Sequence, residues 1–189
     1  VEKVFQQVMT ATLILAEAME GVAGIVDATL SAQDASAAAL LAVTKMITES
    51  AVTVDFSDST QIADLQAAAK TELLAQGIVD EASSDIADYV LGNAADTVTQ
   101  LSVAIQAVPE TDFAQPASSA VSLLKHDAVA QMSALATAAA VFLEDGSTDL
   151  TQLDISEIVT LASADGVAAM VQENETAVNA YLSTLGGTV

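Results

Sequence analysis

With 189 residues, the chain has room for one domain or two small ones, and is long enough to bury a real core. Its 26 Asp and Glu stand against 4 Lys and no Arg, a formal net charge of −22. That balance excludes nucleic-acid binding, which needs Lys and Arg to neutralise phosphate, and it disfavours anionic membrane surfaces. Cysteine is absent, which excludes disulfides, thiolate zinc sites and cysteine nucleophiles.

Hydrophobic residues make up 52% of the chain but aromatics only 3%, so the apolar content is mostly Ala, Val, Leu and Ile. A core of such residues is thin and lets helices approach closely. Ala, Leu, Gln and Glu are good helix formers, and only Pro109 and Pro116 interrupt the chain. The composition therefore predicts an all-α fold.

In chain order, the first predicted helix runs from Val4 to about Met19, with Val4, Val8, Leu15 and Met19 at helical spacing and Gly21 and Gly24 as its end. A second covers about Leu30 to Thr48, carrying Leu40, Leu41, Val43, Met46 and Ile47 as apolar positions. Val52-Thr53-Val54-Asp55-Phe56-Ser57 reads as a short extended connector. Asp58 then looks like an N-cap with Gln61 as its capping-box partner. The helix it opens carries Ile62, Leu65, Ala69, Leu73 and Leu74 and stops at Gly77. The next begins near Ser83 or Ser84 and passes Ile86, Val90, Leu91, Val98, Leu101 and Ile105 before Pro109. Residues 109–115 read as a linker. Ser118 or Ser119 opens a long helix through Val121, Leu124, Val129, Met132, Leu135 and Phe142, ending at Glu144-Asp145-Gly146. After a loop, Asp154 caps a short helix with Glu157 as box partner. A last helix covers about Gly166 to Leu182.

A weak internal repeat emerges. Asp58-Ser59-Thr60-Gln61-Ile62-Ala63-Asp64-Leu65 matches Asp154-Ile155-Ser156-Glu157-Ile158-Val159-Thr160-Leu161, and Asp55-Phe56-Ser57 echoes Asp149-Leu150-Thr151. Downstream, Val90 and Asn93 stand beside Val171 and Asn174. The reading is one domain over 1–189, a bundle of about six or seven helices. Within it a three-helix unit is used twice, over 27–108 and 116–185.

The Ala-rich helices broken by these acidic loops resemble the helical segments of very large secreted marine bacterial surface proteins. Those adhesin-like proteins carry cadherin-like and hemolysin-type calcium-binding repeats. The resemblance implies export to the cell surface or beyond, a multi-domain parent and calcium-rich surroundings. It supplies no catalytic residue. The chain also lacks the Gly-Gly-x-Gly-x-Asp nonapeptide of the calcium-binding repeats, so a calcium role does not carry over.

The acidic loops are the candidate metal site. Asp55 and Asp58 in the first loop, and Asp145, Asp149 and Asp154 in the second, are hard oxygen ligands suited to calcium if they converge. The spacing does not fit an EF-hand: counted from Asp145, Leu153 and Ser156 fall where a ligand and the bidentate Glu belong. The competing reading is that Asp58 and Asp154 are helix caps and the others are solvated. His126, the one histidine, sits between Lys125 and Asp127 with no partner constellation, and reads as a surface residue. No phosphate-cradling loop or nucleophile motif is present, and the Met residues at 9, 19, 46, 132 and 170 read mostly as core filling.

No membrane insertion is expected. The most apolar stretch noted, Ala134 to Leu143, is about half the roughly 20 residues a spanning helix needs. Val1-Glu2-Lys3 lacks the start of a signal peptide and shows no initiator Met, so the chain reads as a piece of something longer. The expected function is a non-catalytic structural or interaction module whose partners are other domains of its parent or copies of itself. A self-assembling subunit of an extracellular filament or layer is the alternative, and an enzyme of unknown type comes last.

Overall fold

The computed structural model describes residues 2–50, 52–107, 116–144 and 149–153, together with Gln172, Thr176 and Ala180; for Glu2, 116–127 and Thr151 it describes the backbone only. Five α-helices account for most of these residues: α1 (Glu2–Ile25), α2 (Ala32–Glu49), α3 (Ser59–Ala75), α4 (Ser84–Ala107) and α5 (Pro116–Glu144). A 3-10 turn follows at Leu150–Gln152. No strand occurs among the described residues, so the all-α expectation holds. The linker 109–115, the short helix capped by Asp154 and all but three positions of the last predicted helix lie outside the described residues. Those three, Gln172, Thr176 and Ala180, are helical and exposed.

The first four helices run up, down, up and down. Lys3 reaches the Gln106 carbonyl at 2.9 Å and Gln7 the Ser102 carbonyl at 3.3 Å, so α1 and α4 are antiparallel. Lys70 meets Asp88 at 2.7 Å, while Gln66 Nε2 lies 3.5 Å from where a Cβ on Gly92 would stand, which sets α3 against α4 in the same sense. Short loops join α1 to α2 and α2 to α3, the expected topology of a bundle with coiled-coil-like packing. α1 packs against α2, α4 and α5, which makes it the common strut of the molecule. In that position α1 closes the bundle.

Small residues build the core. α2 presents Ala35, Ala38, Ala39 and Ala42, with Val43 and Met46, to its neighbours, and Ile62, Leu65, Ala69 and Leu73 of α3 are buried beside them. Leu40, Leu41 and Ile47, expected on the apolar face of α2, are exposed instead. The alanine face wins because it allows the backbones to approach, and the two leucines then fall on the opposite side of the helix. Of the methionines, Met19, Met46 and Met132 are core residues, whereas Met9 is on the surface and Met170 lies outside the described residues.

The ends of the helices follow local chemistry. α1 does not stop at Gly21 or Gly24 but continues to Ile25. Gly21 is required by packing: a Cβ there would stand 2.5 Å from the Cβ of Ala136 on α5. The true end of α1 is a Schellman motif, in which Ala28 N–H donates to the Ala23 carbonyl and Asp27 N–H to that of Gly24, with Asp27 at φ 55°. α3 ends the same way, through Ile78 to Leu73 and Gly77 to Leu74, with Gly77 at φ 69°, where a side chain would be strained. α5 begins at Pro116, two residues before the expected serines. A proline at the first helical position loses no hydrogen bond, because its N–H would have been free there.

Candidate functional site

The connector between α2 and α3 carries the first two candidate carboxylates. Phe56, only 2% exposed, anchors it in the core. That anchoring turns the neighbouring Asp55 and Ser57 back onto each other. Asp55 Oδ1 accepts from the Ser57 N–H at 2.9 Å and the Ser57 hydroxyl at 2.6 Å, and from Gln106 Nε2 at 2.9 Å. These bonds, led by the Ser57 hydroxyl, hold the Asp55 pKa below the usual carboxylate range.

Asp58 is the N-cap of α3, its Oδ1 accepting from the Thr60 N–H at 2.9 Å. That bond is the main reason its pKa is also lowered. Gln61 departs from the expected capping box. Its Oε1 accepts from the Asp55 N–H at 3.1 Å, while its Nε2 lies 3.4 Å from Asp58 Oδ2. The Asp58 N–H is already used by the Asp55 carbonyl at 3.0 Å, so the glutamine bridges both acids.

In the second loop, Asp149 takes up a related role. Its carbonyl accepts from the Gln152 N–H at 3.1 Å and its Oδ2 from Gln152 Nε2 at 2.9 Å. Leu150 is 7% exposed, seated against α4 and α5. Asp145 and Asp154 lie outside the described residues, as does the side chain of His126. The structure thus brings Asp55 and Asp58 onto one loop, each turned to donors of its own neighbourhood. Among the described residues no three His, Asp or Glu side chains gather into a metal-sized group.

Other polar features escaped the sequence reading. Asp80 and Ser83 form a reciprocal box ahead of α4: the Ser83 N–H donates to Asp80 Oδ1 and the Asp80 N–H to Ser83 Oγ, both at 2.9 Å. The Ser83 hydroxyl leads in lowering the Asp80 pKa. Ser31 caps α2 and donates its hydroxyl to Asp34 Oδ2 at 2.6 Å. Both pairs have the spacing acceptor-x-x-partner just before a periodic run, a signal present in the sequence. The buried polar residues Gln7, Thr10 and Ser102 of α1 and α4 carried no such signal. Thr10 Oγ1 and Ser102 Oγ have no hydrogen-bond partner among the described residues.

Among the described residues, apolar surface is open on α1 and on α5. Val4, Phe5, Met9 and Leu13 are exposed along the first half of α1, with Phe5 at 56%. The Lys3–Ile25 segment is also long and apolar enough to cross a membrane, which corrects the expectation that no segment reaches that length; half of it is buried in the bundle. On α5, Ala134, Ala138, Val141 and Phe142 line an open groove with Leu153 at its edge. In comparisons with known proteins, the chain matches no protein family, no curated protein and no solved structure.

Proposed function

We propose that the chain is a non-catalytic structural or interaction module of a large exported bacterial cell-surface protein. One observation carries the reading: the acidic loop side chains at 55, 58, 80 and 149 are engaged by donors of helix ends and loop turns. Acidity used this way stabilises helix termini and suits a saline exterior, without assembling a reactive centre. In this reading the loops need no calcium. An antibody raised against the purified chain, applied to intact and to lysed source cells, tests the location. Surface labelling of intact cells is expected, and labelling only after lysis overturns the reading.

The duplicated three-helix unit belongs to the same proposal. Its support is local and repeated. The Asp55 and Asp149 carbonyls each accept an N–H from three residues on, and Phe56 and Leu150 behind them are both buried. The copies differ where Gln172 and Thr176 are exposed, since their counterparts Leu91 and Ala95 are buried on α4. α4 lies against α1, α3 and α5, and polar residues at 172 and 176 fit a helix with fewer neighbours.

A self-assembling subunit is the second reading, favoured by the exposed Phe5, Met9 and Leu13 together with Leu40 and Leu41. Light scattering in high salt, with and without calcium, tests it. A monomer under every condition rules it out.

A further inference from the structure

α2 keeps its small residues inside and its leucines outside. It packs on α1 and α3 with Ala35, Ala38, Ala39 and Ala42. Its outer face carries Ala37, Leu40, Leu41, Thr44 and Ile47 at spacings of three and four, with Leu40 and Leu41 each 52% exposed. No charged residue lies between Asp34 and Lys45, although the whole chain carries −22. Those two residues bound the stripe. They are roughly three helical turns apart, so both stand on one flank of α2. Asp34 is exposed, its Oδ2 held by the Ser31 hydroxyl. Lys45 forms no ion pair among the described residues, whereas Lys70 is taken by Asp88.

We propose that this face docks on the same face of a second copy, with the two α2 helices antiparallel. The proposal rests on the interaction-module reading and supplies the module's partner. Charge complementarity selects both the occupant and its direction. A twofold axis between Leu40 and Leu41 sets these leucines against those of the partner and Ala37 opposite Thr44 of the partner subunit. The same axis brings Lys45 to within about 3 Å, measured along the helix, of the partner's Asp34. Both lie on the same flank, within reach of the lysine side chain, and a matching pair forms at the other end. A parallel arrangement would set Lys45 against the partner's Lys45 and Asp34 against the partner's Asp34. Ala37 and Thr44 are small, so the helices can approach while the leucines fill the space beside them. A contact of this kind closes on itself and yields a dimer; a filament would need a further face.

Sedimentation equilibrium of the full chain, at concentrations into the millimolar range, measures the association. NaCl at about 0.15 M screens the general repulsion between two acidic chains, while charges within about 8 Å still interact. A monomer–dimer equilibrium is expected. Leu40→Gln with Leu41→Gln should weaken it at least about tenfold, because residues at the centre of an interface carry most of its energy. Asp34→Lys is the sharper test. It removes two units of negative charge, so general repulsion alone would tighten the dimer. Antiparallel pairing instead sets the introduced lysine against the partner's Lys45, and the dimer should weaken by about threefold to tenfold. The exchange D34K/K45D restores the net charge and both pairs, and should recover the original affinity. A monomer at every concentration overturns this face and self-assembly together. A dimer that survives L40Q/L41Q, that D34K tightens or leaves unchanged, or that the exchange does not recover overturns this pairing alone; cell labelling tests the location separately. Should D34K fail to fold by circular dichroism, thiols read the direction, since the chain has no cysteine of its own. Chains carrying Ala37→Cys and Thr44→Cys, mixed and mildly oxidised, should give the mixed disulfide dimer. Two copies of position 37 stand about 10 Å apart in this pairing, too far to bond. Self-linked Ala37→Cys dimers, or no disulfide at all, overturn it.

Discussion

Gly21 and Gly24 are three residues apart on one helix, yet their replacement by alanine should have opposite effects. An Ala in a helix interior is favoured over Gly by about 1 kcal/mol, and this gain applies at both positions. At Gly24 nothing lies within 4 Å of the added Cβ, so the gain is realised. At Gly21 the added Cβ meets that of Ala136 at 2.5 Å, whereas ordinary contact begins at 3.4 Å. Neither Cβ belongs to a side chain that can rotate away, so α1 and α5 must separate. Overpacking of this kind costs about 1–3 kcal/mol, enough to cancel or reverse the gain. The two variants should therefore differ by about 1–3 kcal/mol, or about 3–9 °C in Tm for a chain of this size. Thermal and urea melts of G21A and G24A measure the difference, and the combined variant G21A/A136G measures the coupling. G24A is expected to raise Tm and G21A to lower or barely change it, with A136G restoring the loss. Equal stabilisation by both variants, or no coupling to position 136, would refute the close approach of α1 and α5.

The helix ends supply a second pair of opposite effects. Asp27→Gly should stabilise by about 0.5–1 kcal/mol, since glycine adopts positive φ freely, and Gly77→Ala should destabilise by a similar amount. A drop in Tm for D27G would contradict the left-handed Asp27. Acid should act in two stages. As pH falls from 7 towards about 4.5, fewer negative charges repel and Tm rises. The pKa values of Asp55, Asp58 and Asp80 are lowered in the folded chain, so the stability they contribute is present above their unfolded value of about 3.9. It drains away as pH falls through the folded values, and Tm should drop on that limb. Asp58→Asn keeps a capping oxygen without the titrating charge and should make the limb shallower; an unchanged slope argues against the cap. Raising NaCl from about 0.01 to 1 M shortens the screening length from about 30 to 3 Å and should raise Tm. A Tm indifferent to salt shows that the charge of −22 does not strain the fold.

Helical class, helix order and most boundaries were determined by the sequence alone, because they follow from local rules. Apolar spacing marked α3 and α4, Asp58 marked the start of α3, and Gly77 marked its end, since capping and positive φ involve only a few adjacent residues. Asp55 and Asp58 were recognisable as a pair on the same grounds. The tertiary structure decided which apolar residues face inward. Leu40, Leu41 and Val4 look like core residues in sequence and are exposed, while Ala35, Ala38, Ala39 and Ala42 of α2 are buried, because close helix approach selects for small volume. It also decided the purpose of Gly21, whose reason lies 115 residues away at Ala136. The partners of the acidic loop were non-local too: Gln106 is distant in sequence and reaches Asp55 only because α4 returns antiparallel beside α1. Hydrogen bonds and caps within a few residues are written in the chain, whereas the face a helix buries depends on neighbours that only the assembled bundle supplies.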